Sequence, residues 1–501
     1  MSSASASLGN QIGYKVRNMA THAQPSIDIH LDDSHGPRRV IGSYSTMDTV
    51  EGTVTITAQR DTRFEDIDIA FIGTSRVFVE RMTTAPTMSG RSEANHRFLV
   101  LRQPIAREHF PTSRIFKSGE SYRFPFTFTI PSQLLPKACT HVVAADHVRD
   151  THCQLPPSLG DPDLAGFGNT LLDDLAPQMS KITYGVKVKI AQLRASEGIT
   201  VLAEKTKKVR VKPVFQEQAP LNIDNNDEYR PKQEKVVKKG LFKGRLGTLT
   251  AKTAQPPPLV IPGARSTNNE PISTLAKLVL RFDPVEDGSG PPQLQSMVTK
   301  IKVCTYYASA PRQSFPSRAS LGFDLTQGVY SEKVPLSSLC IASAQWEEHD
   351  SAANPTAESL IRRDSGISDC SALSDAETAF AIGVLPASKD YRKGKFYTTQ
   401  IFIPITLPMN KNFVPSFHCC LISRIYSLSL QFAGIENARV RSVEETALRE
   451  TVDVFAPRSV APSTIGIRDD GIVDARDELP PDYSAFAPPR TRYRTLVSLV
   501  A

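Results

Sequence analysis

Four groups of residues in this 501-residue sequence have types and spacings that can do chemistry. The first is Pro480-Pro481-Asp482-Tyr483 near the end of the chain. Two adjacent prolines hold an extended polyproline II turn before any partner arrives, so little entropy is lost on docking. Their stacked rings fit an aromatic groove of a WW domain, and Tyr483 fills the neighbouring pocket with its hydroxyl in water. Pro480, Pro481 and Tyr483 are therefore the expected contact residues, with Asp482 facing mostly solvent. The second group is Arg362-Arg363-Asp364-Ser365. Two guanidiniums ahead of a serine in an acidic segment have the shape of a basophilic-kinase site, and a phosphate on Ser365 would add nearly two negative charges. The third is Lys235, Lys238, Lys239 and Lys243, candidate ubiquitin acceptors or contacts to anionic lipid. The fourth is His141, His147, His152 and Cys153, within thirteen residues. Imidazole and thiolate both suit zinc, but this spacing matches no named finger, and such histidines also serve as hydrogen-bonding groups in loops. No metal and no cofactor are expected. Nucleophile elbow, P-loop, His-Glu-x-x-His and dinucleotide fingerprints are missing, so the expectation is not an enzyme.

These groups must be carried by something, and the dominant pattern along the chain is alternation with period two. Val50, Gly52, Val54 and Ile56 share one face of a strand; Tyr122, Phe124, Phe126, Phe128 and Ile130 repeat the pattern, as do Tyr184, Val186, Val188 and Ile190. Amphipathic helices of more than three turns are absent. The expected fold class is all-β, with two antiparallel β-sandwich domains of immunoglobulin-like texture. Residues 1–25 read as a disordered N-terminus and 26–215 as the first sandwich. Residues 216–269 read as a basic, Pro-rich linker, and 270–457 as the second sandwich with a disordered insertion at about 347–378. Residues 458–501 read as a disordered tail. Charge follows the same division. Lys232 to Lys252 holds seven basic residues and one acidic, whereas Asp469 to Tyr483 holds six acidic and one basic. The acidic stretch places the Pro-Pro-x-Tyr peptide in solvent; the basic run, with Phe242 as its only aromatic, is a poor stacking platform for nucleic acid. The most apolar stretch, Cys419 to Phe432, is broken by Arg424 and alternates like a strand, so no spanning helix is expected. Seven cysteines without a secretory signal read as reduced thiols of a cytoplasmic protein.

Particular residues carry a family resemblance. Thr49-Val50-Glu51-Gly52-Thr53-Val54, then Ile67 to Gly73, is similar to the first strands of the arrestin N-terminal domain. Gly119 and the run Phe124-Pro125-Phe126-Thr127-Phe128-Thr129-Ile130-Pro131 resemble that family's Gly-x-x-x-Phe-Pro-Phe-x-Phe-x-Ile-Pro segment. Lys181 to Val186 resembles its next strand, and Ile403-Pro404-Ile405 with Leu421 to Phe432 resembles the C-terminal arrestin domain. The branch implied is the α-arrestins, the arrestin-related trafficking adaptors. That resemblance implies a HECT-type ubiquitin ligase bound through its WW domains. It implies membrane transporters or receptors as cargo, and recruitment from the cytoplasm to plasma membrane or endosomes, where ubiquitination leads to endocytosis. The alternative is a sorting scaffold of the same fold that acts without a ligase.

Overall fold

A computed structural model of the chain describes residues 24–452. Outside the description, within that span, fall 33–42, 82–89, 166–171, 195–197, 215–231, 240–243, 254–255, 263–269, 317–320, 322–323, 351–384, 390, 392–393 and 437–448. Ser365, Lys243 and the tail with Pro480, Pro481 and Tyr483 also lie outside the described residues.

The first lobe is built from β1 (Ser26–Leu31), β2 (Ser43–Tyr44), β3 (Thr49–Thr57), β4 (Thr62–Arg63), β5 (Asp66–Arg81), β6 (Gly90–Arg102), β7 (Ile115–Phe116), β8 (Ser121–Thr129), β9 (Ser180–Arg194) and β10 (Gly198–Val211). A three-stranded sheet in the order β1-β3-β8 accompanies a five-stranded sheet in the order β2-β10-β9-β5-β6, and β4 pairs with β7. The alternation explains the layering. Val50, Val54 and Ile56 of β3 and Phe124, Phe126 and Phe128 of β8 are buried, while Thr49, Glu51, Arg123, Pro125 and Thr127 face out. Each such phenylalanine contributes about 1.5–3 kcal/mol by leaving water. They meet the other sheet directly, with the Phe71 and Phe128 rings 6.0 Å apart, and within that sheet Phe98 stands edge-on to Tyr184 at 5.5 Å. Pro125 is tolerated because β8 is an edge strand: it lies two residues from Thr127, whose outward N–H donates to the Gln103 side chain rather than to β3. Gly52 and Gly73 are required by close approach. A Cβ on Gly52 would sit 2.1 Å from the His30 carbonyl oxygen, and one on Gly73 would sit 2.5 Å from the Phe98 ring.

The second lobe comprises β11 (Lys232–Lys238), β12 (Arg245–Thr253), β13 (Ser273–Pro284), β14 (Gln293–Ala308), β15 (Gln327–Cys340), β16 (Glu347–Asp350), β17 (Lys395–Thr406), β18 (Phe417–His418), β19 (Ile422–Glu436) and β20 (Arg449–Val452). Its sheets run β11-β12-β13-β17-β16 and β15-β14-β19-β18, with β20 added to β19. Leu278, Leu280, Phe282, Met297, Ile401, Ile403, Leu428 and Leu430 fill the space between them. The two lobes are thus antiparallel β-sandwiches, and the only parallel pairing between named strands is the two-residue contact of β2 with β10.

Two segments depart from the sequence reading. Within the stretch read as a linker, Lys232–Lys238 and Arg245–Thr253 form an antiparallel hairpin that extends the second lobe's sheet through β13. The pattern concealed it because β11 buries only Val237 among its described side chains, and β12 fills both faces with small residues such as Gly247, Thr248, Thr250 and Ala251. Glu347–Asp350, read as the start of the insertion, pairs with β17 instead. Its sequence is Glu-Glu-His-Asp, which no hydrophobic alternation could mark, and it is held by backbone bonds and by the ion pair of Glu348 with Lys395 at 2.6 Å.

Candidate functional site

The chemistry in the described part of the chain gathers where the lobes meet. Their cores are continuous: Tyr307, Val414, Phe417, Cys419, Cys420, Leu421 and Ile422 of the second lobe lie in the same buried cluster as the first lobe's sheets. Around that apolar seam are two polar constellations.

The first is a set of two thiols and two imidazoles. A 3-10 turn at Pro136–Ala138 opens with Pro136, whose missing N–H costs nothing at that position, and Cys139 follows as its last cap. His141 lies two residues further on. A short helix, α1 (Asp146–His152), ends on His152, which is buried. Cys420 comes from the opposite lobe, in the turn between β18 and β19. The potential donor atoms of Cys139, His141, His152 and Cys420 all lie within 4.8 Å of one another. The Cys139 sulfur is 3.3 Å from His141 Nε2 and 3.5 Å from His152 Nδ1. His141 Nδ1 lies 3.1 Å from the Val142 carbonyl oxygen. That contact places a hydrogen on Nδ1 and turns Nε2 toward the sulfur. The Cys420 sulfur is 3.7 Å from the Ala138 carbonyl oxygen. Hydrogen bonding from Cys420, then from the two imidazoles, holds the Cys139 thiol well below the usual thiol range against the opposing effect of burial. Burial lowers His141, but the hydrogen bond and charge of Cys139 outweigh it and raise its pKa.

Of the four residues singled out from spacing, His141 and His152 belong to this set and His147 and Cys153 do not. The His147 ring packs on Phe315 at 5.6 Å, which in turn meets His418 at 4.8 Å. Cys153 is half-buried, and desolvation raises its thiol pKa. Cys139 and Cys420 were missed. Cys139-Thr140-His141 was a local signal; the adjacent pair Cys419-Cys420 gave no indication of which lobe it would face.

The second constellation is a strap of the first lobe held by a buried arginine of the second. Arg424 is fully buried and donates from Nη1 to the Asp174 carbonyl at 3.1 Å and from Nη2 to the Leu175 carbonyl at 3.2 Å. Leu175 is itself buried with φ of 58°, a conformation a leucine adopts only when its surroundings enforce it. Asp173 accepts from the Leu175 N–H at 2.9 Å and pairs with Lys411 at 2.8 Å, and its carbonyl accepts the Asn412 N–H. Burial would raise the Asp173 carboxyl, but Lys411, the Leu175 N–H and the Arg424 charge prevail and lower it. Asp174 accepts the Gly160 N–H at 2.7 Å. Arg424, seen in the sequence as the residue that breaks an apolar run, is one of the groups that join the lobes.

The candidate lysines sit elsewhere. Lys235, Lys238 and Lys239 lie on or just beyond β11. Lys235 is half-buried and desolvation lowers its pKa; Lys239 pairs with Glu286 at 2.5 Å; Lys238 is exposed. The insertion that contains Ser365 emerges after β16, and the chain is next described from Leu385. There a latch takes hold. Arg281 of β13 pairs with Asp283 at 2.7 Å, both buried; Arg281 donates to the Leu385 carbonyl at 2.6 Å, and Asp283 accepts the Ser388 N–H at 2.8 Å. The guanidinium also lies over the Phe396 ring at 4.0 Å. Among the described residues no helix is long and apolar enough to cross a membrane.

In comparison with known protein families, residues 28–211 fit the model described as Arrestin (or S-antigen), N-terminal domain. That span runs from β1 to the end of β10, which is the first lobe. No curated protein matches the chain significantly.

Proposed function

From the premise that this chain is arrestin-like, with an arrestin N-terminal domain at residues 28–211, we propose that it is an α-arrestin adaptor: a non-enzymatic protein that brings a WW-domain HECT ubiquitin ligase to membrane transporters or receptors. The observation that carries the ligase half of this reading is Pro480-Pro481-Asp482-Tyr483, set in an acidic tail beyond the second sandwich. The two lobes supply the cargo-binding body, with the second as a C-terminal arrestin domain, and the tail supplies the peptide. Cargo captured at the plasma membrane or endosomes is then ubiquitinated and internalised. A single peptide of this kind binds on the order of micromolar to tens of micromolar, about −7 to −8 kcal/mol, and several WW domains on one ligase raise the effective affinity.

The test is a titration of a peptide spanning residues 472–492 into isolated WW domains, paired with ligase capture by the full chain. Tyr483→Ala empties the tyrosine pocket and should remove binding in both formats. Asp482→Ala should leave it nearly intact. Normal capture by the Tyr483→Ala chain would sink the reading and leave a sorting scaffold that acts without a ligase. Within the same proposal, Lys235, Lys238, Lys239 and Lys243 are ubiquitin acceptors or contacts to anionic membrane, and Ser365 is a regulatory phosphosite. Of the lysines whose surroundings are described, exposed Lys238 is the expected first acceptor. Mass spectrometry of chain isolated from stimulated and starved cells checks both, and unmodified Ser365 together with unmodified lysines under all conditions would count against them.

A further inference from the structure

We propose that Cys139, His141, His152 and Cys420 form a tetrahedral Cys2His2 zinc site that staples the first lobe to the second. Geometry is the first ground. Around a tetrahedral zinc, with Zn–S about 2.3 Å and Zn–N about 2.05 Å, sulfur–nitrogen edges measure about 3.6 Å and the sulfur–sulfur edge about 3.8 Å. The sulfur–nitrogen separations here are 3.3 and 3.5 Å, and all four donors fall within 4.8 Å of one another. The donors therefore already stand close to the corners of the polyhedron.

Chemistry is the second ground. Two thiolates and two neutral imidazoles are the borderline-soft set that tetrahedral zinc prefers over the oxygen-seeking ions. Two thiolates also cancel the double charge of the ion, so the complex is neutral and can be buried where a bare ion could not. The His141 ring is oriented as a ligand should be, with its second nitrogen set against the Val142 carbonyl. All four coordination positions are taken by protein. This is the closed arrangement of a structural site, since a catalytic one keeps a position open.

Topology gives the site its consequence. Three ligands come from one short stretch of the first lobe, whereas Cys420 comes from the second lobe, 268 residues beyond His152. Neither lobe alone has four ligands. Zinc affinity is then linked to lobe docking: the ion favours the docked pair, and docking tightens the ion, by the same factor. The backbone near the ligand turn is already stitched to the second lobe by the Ala144 N–H, which donates to the Gln313 carbonyl at 2.7 Å, and within the second lobe the neighbouring Arg312 N–H donates to the Cys420 carbonyl at 2.9 Å. Zinc closes a seam that these bonds align.

The full-length chain, purified anaerobically without chelator, is to be assayed for zinc by elemental mass spectrometry. The apo protein is then reloaded with Co2+ and its absorption recorded. About one equivalent of zinc per chain is expected, and a cobalt spectrum with intense tetrahedral ligand-field bands plus thiolate charge transfer. Cys420→Ser should lose the metal, while His147→Ala and Cys153→Ala, outside the set, should keep it. Should Cys420→Ser misfold, the wild type still decides: chelation should accelerate hydrogen exchange around residues 139–152 and 417–424 at least about tenfold, and added zinc should reverse it. Folded wild-type chain without zinc and without a tetrahedral cobalt spectrum would overturn the proposal. A Cys139–Cys420 disulfide in that material, or a full equivalent of zinc retained by folded Cys420→Ser, would overturn it equally.

Discussion

Replacing Arg424 by alanine should loosen the junction between the lobes more than any single apolar truncation there. The side chain is fully buried and makes two charge-assisted bonds to the carbonyls of Asp174 and Leu175. Bonds from a charged donor are worth about 1.5–3 kcal/mol each, and the two carbonyls left behind would be buried without partners, so a loss of roughly 3–5 kcal/mol is expected. The Leu175 conformation adds to this. A leucine at φ of 58° returns to an ordinary region once its carbonyl is released, so the strap 173–176 should open locally. Hydrogen exchange at Leu175 and Ala176, whose N–H groups bond to the carboxylates of Asp173 and Asp174, reads that opening directly. Arg424→Met keeps the bulk but not the donors, and should fail nearly as badly. That outcome separates hydrogen bonding from packing. A loss below about 1 kcal/mol, with exchange at Leu175 unchanged, would show that the guanidinium is incidental to the seam.

The second large effect is expected at the latch beneath the insertion. Asp283→Ala removes the only carboxylate paired with Arg281 among the described residues and leaves a buried guanidinium with no opposing charge, at a cost of about 3–5 kcal/mol. It also frees the Ser388 N–H, so Leu385 to Tyr391 should detach from β13 and become accessible to protease. The double change Arg281→Met with Asp283→Ala should be less damaging than Asp283→Ala alone, because the uncompensated charge is gone. Were the double variant the worse of the two, burial of the charge would not be the cause. This latch fixes the point at which the insertion carrying Ser365 rejoins the body, and it offers a way to alter that anchorage without touching the serine.

Much of this architecture was legible in the residues. Alternation in β3, β8, β5 and β9 shows because each strand has one face on a core and one in water, so burial writes itself into the sequence at period two. The first lobe's likeness to the arrestin N-terminal domain could be read from the same strands, since Gly52, Gly73 and the Phe-Pro-Phe run answer steric demands that few other residues meet. The hairpin β11-β12 and the short β16 were not legible, because an edge strand with one buried residue and a strand of Glu-Glu-His-Asp are held by backbone bonds that no side-chain pattern reports.

By itself the sequence determined the all-β class, the strands that carry the two cores, and the Pro-Pro-x-Tyr peptide, whose chemistry is local and needs no fold. It put His141, His147, His152 and Cys153 within thirteen residues, with no metal expected, and had no means to single out His141 and His152 from the other two. Tertiary structure decided the rest. It turned His147 away onto Phe315, brought Cys420 from the other lobe to complete a four-donor set, and gave the lone charge in an apolar strand, Arg424, two carbonyls from a distant strap. The physical reason is common to all three. Contacts within a strand or turn recur at fixed sequence intervals, but a contact between two docked domains depends on how their surfaces meet, and that position has no period in the chain.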